Sequence, residues 1–190
     1  MLNARTLLFS TLMTLLAFSP LGATQALAQH AKSEPAGHGS ITIPKSMQIE
    51  HEELHSALVE LTKAKGQTGE AARKVAAVLD PHFVKENEYA LPPLGLLEPI
   101  TQGKFECSMT AVLKLTDKLQ AEMPTMLSEH KAIAAALAGL KTAATAENNQ
   151  AGMQFAEHLA AHAQTEEHIM YPTALLIGLY VKSQAAQCPR

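Results

Sequence analysis

His82-Phe83-Val84-Lys85-Glu86-Asn87-Glu88-Tyr89-Ala90-Leu91-Pro92 and His162-Ala163-Gln164-Thr165-Glu166-Glu167-His168-Ile169-Met170-Tyr171-Pro172 share one pattern, His-x3-Glu-x5-Pro. Each stretch is preceded by a leading histidine that itself follows a glutamate, Glu50-His51 in the first copy and Glu129-His130 in the second. The copies are offset by 79 residues at the leading histidine and by 80 at every later position. Residues four apart on a helix share a face, so His82 with Glu86, and His162 with Glu166, point the same way. Aromatic residues make up 4% of the chain and Trp is absent, so a core must be built from Ala, Leu, Val, Ile and Met. That composition favours helices over strands, and no segment shows convincing alternation at period two. The expected fold is all-α, an up-down-up-down four-helix bundle with an internal pseudo-twofold repeat.

The helices follow from stripes and breakers. Pro44 suits a first helical turn, and Leu54, Leu58 and Leu61 make a core face on a first helix of about 44–65. Gly66-Gln67-Thr68-Gly69 reads as a turn. A second helix of about 70–90 is interrupted at Asp80-Pro81, where it is either kinked or restarted with Asp80 as N-cap, and Pro92-Pro93 ends it. After a link without periodicity to Gly103, a long helical pattern spans about 105–146, broken at Pro124. In its second half Ile133, Leu137 and Leu140 repeat the first stripe. A fourth helix covers about 149–170, and a further short helical piece follows Pro172 over 175–181. His51 and His130 sit six or seven residues after a proline, and Glu86 and Glu166 six before one. At 1.5 Å rise per residue, every ligand set lies roughly 9–10 Å inside the same end of the bundle.

Two His and one Glu per repeat make a six-ligand set: His51, His82, Glu86, His130, His162 and Glu166. Two helix pairs related by a pseudo-twofold axis can enclose two ions, with imidazoles binding terminally and the two carboxylates bridging. Unpaired, two buried glutamates would cost several kcal/mol, roughly. Imidazole and carboxylate without sulfur suit iron, manganese or zinc, and bridging carboxylates favour a dinuclear iron or manganese site; two Fe ions are the expected cofactor, with Mn or Zn behind them.

With Glu-His leading helices one and three, and His-x3-Glu-x5-Pro ending helices two and four, the chain resembles the hemerythrin-like (HHE cation-binding) family over about 43–181. The resemblance implies a hemerythrin-like four-helix bundle around a non-haem di-iron centre with two bridging carboxylates, held by the six residues above. The oxygen-carrying members have a seventh ligand from a His-x3-His helix. Here only His51-x3-His55 offers an equivalent, which makes His55 the candidate seventh ligand. Many members double the Glu in both motifs; this chain does so at Glu166-Glu167 but reads Glu86-Asn87 in the first copy, and the extra Glu is expected to be peripheral. Pro81 stands where it can tilt the His82 ring. His158 shares the His162 face as a supporting residue or alternative ligand, and His168 falls off that face and is expected to be exposed.

A rival reading exists. His51-Glu52-Glu53-Leu54-His55 is a literal His-Glu-x-x-His, the motif of zinc metallopeptidases with Glu52 as general base. No Gly-x-x-His continuation follows, and the reading leaves His130, His162 and Glu166 unexplained. A ferritin-like set would want Glu-x-x-His on two helices, and only Glu52-x-x-His55 qualifies.

The first 28 residues read as a signal peptide, with Arg5, an apolar run over 7–18 and Ala26-Leu27-Ala28 as cleavage signal. That run is too short for a spanning helix, so the product is expected to be periplasmic or secreted, with no membrane association after cleavage. Residues 29–43 read as a flexible arm, 44–182 as the bundle, and 183–190 as a tail. The formal charge of −3 without a basic run argues against nucleic acid and anionic membrane surfaces as partners. Cys107 and Cys188 are the only cysteines, and in an oxidising compartment they can pair. The functional expectation is a metal-binding protein for O2 or a related diatomic such as NO, rather than an enzyme. An iron-dependent redox enzyme acting on NO or peroxide is second and the zinc peptidase third. Tyr89 and Tyr171 are either proton donors or packing residues.

Overall fold

The computed structural model describes residues 41–189, so the expected signal peptide and nearly all of the expected arm lie outside the described residues. Among the described residues there are six α-helices: α1 (Lys45–Thr62), α2 (Gly66–Lys85), α3 (Leu97–Thr101), α4 (Val112–Ala146), α5 (Gln150–Thr165) and α6 (Tyr171–Gln184). Two π-helical turns, Glu86–Ala90 and Glu166–Met170, continue α2 and α5. Short 3-10 turns occupy Pro92–Leu96, Cys107–Ala111 and Ala185–Gln187, and no strand occurs among the described residues. The four longer elements pack α1 on α2, α2 on α4, α4 on α5 and α5 back on α1, a closed ring compatible with a four-helix bundle.

The sequence stripes are the core. Leu54, Leu58, Leu61, Ile133, Leu137 and Leu140 are buried in one apolar cluster with Val75, Leu79 and Leu159. A second cluster gathers Met47, Tyr89, Leu119, Met126, Tyr171 and Ile177. Between them lies a layer of buried His and Glu. Along α1 and α4 the chain runs from the second cluster (Met47, Met126) through His51 or His130 to the first (Leu54, Ile133). Along α2 and α5 it passes from the first cluster (Leu79, Leu159) through His-x3-Glu to the second (Tyr89, Tyr171). All four helices therefore cross the polar layer at one level.

Several boundaries differ from the sequence reading. Pro81 neither stops nor restarts a helix: α2 runs through it to Lys85, and Asp80 is not a cap. Pro124 likewise lies inside an uninterrupted 35-residue α4. Both prolines are exposed, as are Ala77 and Gln120, whose carbonyls each proline leaves without a donor. Water can therefore satisfy those carbonyls, which offsets part of the cost of an interior proline. The expected turn at 66–69 is the start of α2: Gly66 takes φ +78°, and Glu147, just past α4, accepts from Gln67 N (2.7 Å), Thr68 N (3.0 Å) and Thr68 Oγ1 (2.6 Å). These are bonds that the first turn of a helix lacks within itself. Asn149 caps α5 by accepting from Gly152 N at 2.9 Å, as Asn does at an N-cap. The link after Pro93 is helical, and α6 is longer than the short piece expected. The end of the expected arm is packed: Ile41 and Ile43 lie on the second cluster, and a Cβ at Gly95 would come 2.1 Å from Thr42 O. Cys107 and Cys188 form a disulfide with Cα atoms 5.6 Å apart. No helix among the described residues is long and apolar enough to cross a membrane.

Candidate metal centre

Six side chains named from their spacing converge in the polar layer. His51, His82, Glu86, His130, His162 and Glu166 are all buried, Glu86 at 0% and Glu166 at 1% exposure. They form two groups able to hold an ion: His82, Glu86, His130 and Glu166, and His51, His162 and Glu166, with potential ligand atoms within 4.8 Å of one another in each. His82 Nε2 lies 3.3 Å from Glu86 Oε1, and His130 Nε2 lies 3.5 Å from Glu166 Oε2. On the other side His162 Nε2 is 2.9 Å and His51 Nε2 3.4 Å from Glu166 Oε1, and His51 Nε2 is 3.8 Å from Glu86 Oε2. The two inward nitrogens His51 Nε2 and His162 Nε2 stand 3.1 Å apart.

Each carboxylate thus divides its oxygens, one toward the His82–His130 pair and one toward the His51–His162 pair. The oxygens facing the second pair, Glu86 Oε2 and Glu166 Oε1, are buried and accept no hydrogen bond. A buried carboxylate oxygen without a donor is costly, and a cation between the two carboxylates removes that cost. The donor set of four imidazoles and two carboxylates fits a divalent transition metal.

The outer imidazole nitrogens set the orientation. His82 Nδ1 donates to Glu129 Oε2 and His130 Nδ1 to Glu167 Oε1, both at 2.9 Å, and Glu129 also pairs with Lys85. A carboxylate has no proton to give, so these nitrogens carry the hydrogen, and in the neutral ring Nε2 keeps its lone pair inward. Glu50 Oε1 lies 3.1 Å from His162 Nδ1 but outside hydrogen-bond geometry, with exposed His158 3.7 Å from the same oxygen. His51 Nδ1 has no partner, and its ring stacks on Phe83 with centroids 4.4 Å apart. Glu167, the second of the doubled glutamates, belongs to neither group and orients His130 from outside them. The glutamates that precede the leading histidines act across the bundle, Glu50 (α1) beside His162 on α5 and Glu129 (α4) on His82 of α2. Sequence reasoning noted both glutamates and missed their roles, because the pairing crosses between helices.

Charge follows the same geometry. Burial raises the Glu86 carboxyl above its ordinary value, and the neighbouring Glu166 raises it further. Glu166 is held well below its ordinary value: burial opposes this, but the imidazoles of His130, His162 and His51 win. For His162 burial works downward, yet Glu166 and Glu50 push it up to about 9. His82 is also raised, Glu86 and Glu129 overcoming burial.

The remaining candidates lie elsewhere. His55 is exposed and joins neither group; it lines a surface cavity of about 510 Å³ with His51, Asp80 and Asn87. Glu52 is exposed as well, so the His-Glu-x-x-His stretch puts only His51 in the centre. His168 is exposed, as its position on the helix implied. Tyr89 donates to Met126 Sδ at 3.3 Å, whereas the Tyr171 hydroxyl reaches the centre and donates to Glu86 Oε1 at 2.5 Å.

Fold and site together define an all-helical protein whose four packed helices bring buried histidines and glutamates into groups that could hold a metal ion. No protein-family model, no curated protein and no solved structure matches the chain.

Proposed function

We propose that this chain is an exported, non-haem di-iron protein of hemerythrin-like, up-down-up-down architecture, which binds O2 or a related diatomic such as NO. The observation that carries the reading is the division of the Glu86 and Glu166 oxygens between two imidazole pairs, the arrangement two ions sharing bridging carboxylates require. The alternating order in which the helices cross the polar layer supports the up-down topology. The six donors support iron, with manganese and zinc as the competing choices.

Iron bound there would supply a redox-active Lewis-acid centre for a diatomic ligand. The chain's own residues hold and shield it. Glu129 and Glu167 fix the His82 and His130 rings, Phe83 fixes His51, and the apolar clusters on either side lower the polarity around the centre and raise the strength of every charge interaction within. Export is supported by the leader-like composition of residues 1–28, and the amino-terminal residue of the protein isolated from cells tests it: Gln29 agrees, Met1 does not.

Metal analysis with an anaerobic-to-aerobic visible spectrum tests the function. About two irons per chain, with a visible band that comes and goes with O2, is the expected result. The same iron content with irreversible oxidation shifts the reading to redox turnover of NO or peroxide. One zinc and no visible band overturns it.

A further inference from the structure

The two repeats differ where the helix resumes after its π-turn. Offset by 80 residues, Tyr171 of the second copy corresponds to Leu91 of the first. Both positions are fully buried, and both close their π-turn through the backbone, Tyr171 N–H donating to Glu166 O and Leu91 N–H to Glu86 O. In an α-helix the fifth residue after Glu166 would sit about 140° around the axis from it, on the far side. The turn closed by an i to i+5 bond contains one more residue, so the fifth residue comes back over the glutamate and faces the centre. Proline at the next position has no N–H and cannot continue the i to i−4 ladder, consistent with a rearranged turn there.

The phenol hydroxyl of Tyr171 is consequently placed among inward-facing donors of one imidazole pair. It lies 2.5 Å from Glu86 Oε1, 3.3 Å from His130 Nε2 and 3.5 Å from His82 Nε2. These atoms belong to three of the four residues of the His82–His130 group, so any ion they share stands beside the Tyr171 oxygen. The hydroxyl has no contact with the His51–His162 pair among the hydrogen bonds of the described residues, and Leu91 can supply no donor from the first repeat.

We propose that Tyr171 Oη is a metal ligand of the His82–His130 half of the centre, which makes the two halves chemically unequal. The inference rests on the two-metal reading above. On ligation the oxygen lone pair forms the bond to the ion, the O–H proton leaves to solvent, and no oxidation state changes. The His82–His130 ion would then have five protein donors, two imidazoles, two carboxylate oxygens and a phenolate, against four for its neighbour. With one protein donor fewer, the His51–His162 half would leave more room for an external ligand.

The test uses the full-length protein with Tyr171→Phe, which keeps the ring and removes only the donor, and with Tyr89→Phe as control. Anaerobic iron(II) titration against a competing chelator gives stoichiometry and affinity, and resonance Raman spectroscopy of the ferric protein detects phenolate modes. The expected result is two irons and phenolate modes in the wild type and in Tyr89→Phe. Tyr171→Phe should lose the modes and bind one of its two ions about tenfold or more weakly, since loss of a mere outer-sphere partner already brings 10–100-fold. A wild type with two irons and no phenolate modes, or a Tyr171→Phe protein indistinguishable from it, overturns the tyrosine ligand and leaves the di-iron reading standing. A wild type that takes up no iron pair overturns both. If Tyr171→Phe does not fold, ring-deuterated tyrosine in the wild type decides: modes that shift support the ligand, and their absence overturns it.

Discussion

Each of the four central imidazoles has an outer nitrogen to satisfy, and those nitrogens keep unequal company. His82 and His130 have carboxylates in hydrogen-bond geometry, His162 has one nearby, and His51 has Asn87 where the counterpart of Glu167 would stand. Glu129→Ala and Glu167→Ala should each weaken metal binding by about 10–100-fold in a chelator competition, without abolishing it. Glu86→Ala or Glu166→Ala should lower metal content more than His55→Ala; equal loss at exposed His55 would make it an essential ligand. Protonation gives a second residue-level expectation for the metal-free protein. His162 is raised to about 9 from 6.5, so its contribution to stability is complete below pH 6.5 and is lost as pH climbs through about 9. Glu166 is depressed, so its contribution is present above its ordinary 4.5 and is lost as pH falls through its lower folded value. The melting temperature in chelator should therefore decline from pH 6.5 toward 9, and His162→Gln should flatten that decline. The six central residues were legible in the sequence because their spacing repeats, which a single buried histidine could never have shown. Glu50, Glu129 and Glu167 were visible only as neighbours of ligands, since their partners are set by packing between helices. His55 drew attention by standing one turn after His51, yet Leu54 and Leu58 take the buried face there and leave it outside.

At the scale of elements, apolar stripes located the four long helices, while prolines misled about their continuity. Breaker rules treat an interior proline as a stop, but the cost falls when the residue whose carbonyl it strands is exposed, as Ala77 and Gln120 are. The π-turns left no signal in hydrophobic periodicity, since each inserts a single residue into an otherwise regular pattern. Where α4 meets α6 there is no spare room: a Cβ on Gly178 would come 2.4 Å from Thr116 Oγ1. Gly178→Ala should therefore destabilise the fold by about 1–3 kcal/mol in a urea melt, despite alanine's better helix propensity. The Cys107–Cys188 bond joins positions 81 residues apart, from the turn before α4 to the one after α6. Replacing both by serine should cost about 2–5 kcal/mol on a chain-entropy argument, read from denaturation of the oxidised protein against the double variant.

For the whole molecule, the buried polar layer separates two apolar clusters, so metal binding and folding should be linked. An ion that binds only the folded chain adds about 4 kcal/mol at a thousandfold excess over its Kd. Titration with iron(II) under anaerobic conditions should raise the melting temperature, chelation should reverse the shift, and Glu166→Ala should abolish most of it. The way the donors are shared between the two repeats has a further consequence. His51 of α1 meets His162 of α5 and Glu166 of the π-turn that continues it, and His82 of α2 and Glu86 of its own π-turn meet His130 of α4 and Glu166, so neither repeat contains a complete half-centre. One hairpin on its own is an incomplete protein, but two identical hairpins about a twofold axis would supply every donor the repeats share. The shared donors thus have the symmetry of a dimer of one hairpin. Asn87 opposite Glu167 and Leu91 opposite Tyr171 break that symmetry, as two identical hairpins never could.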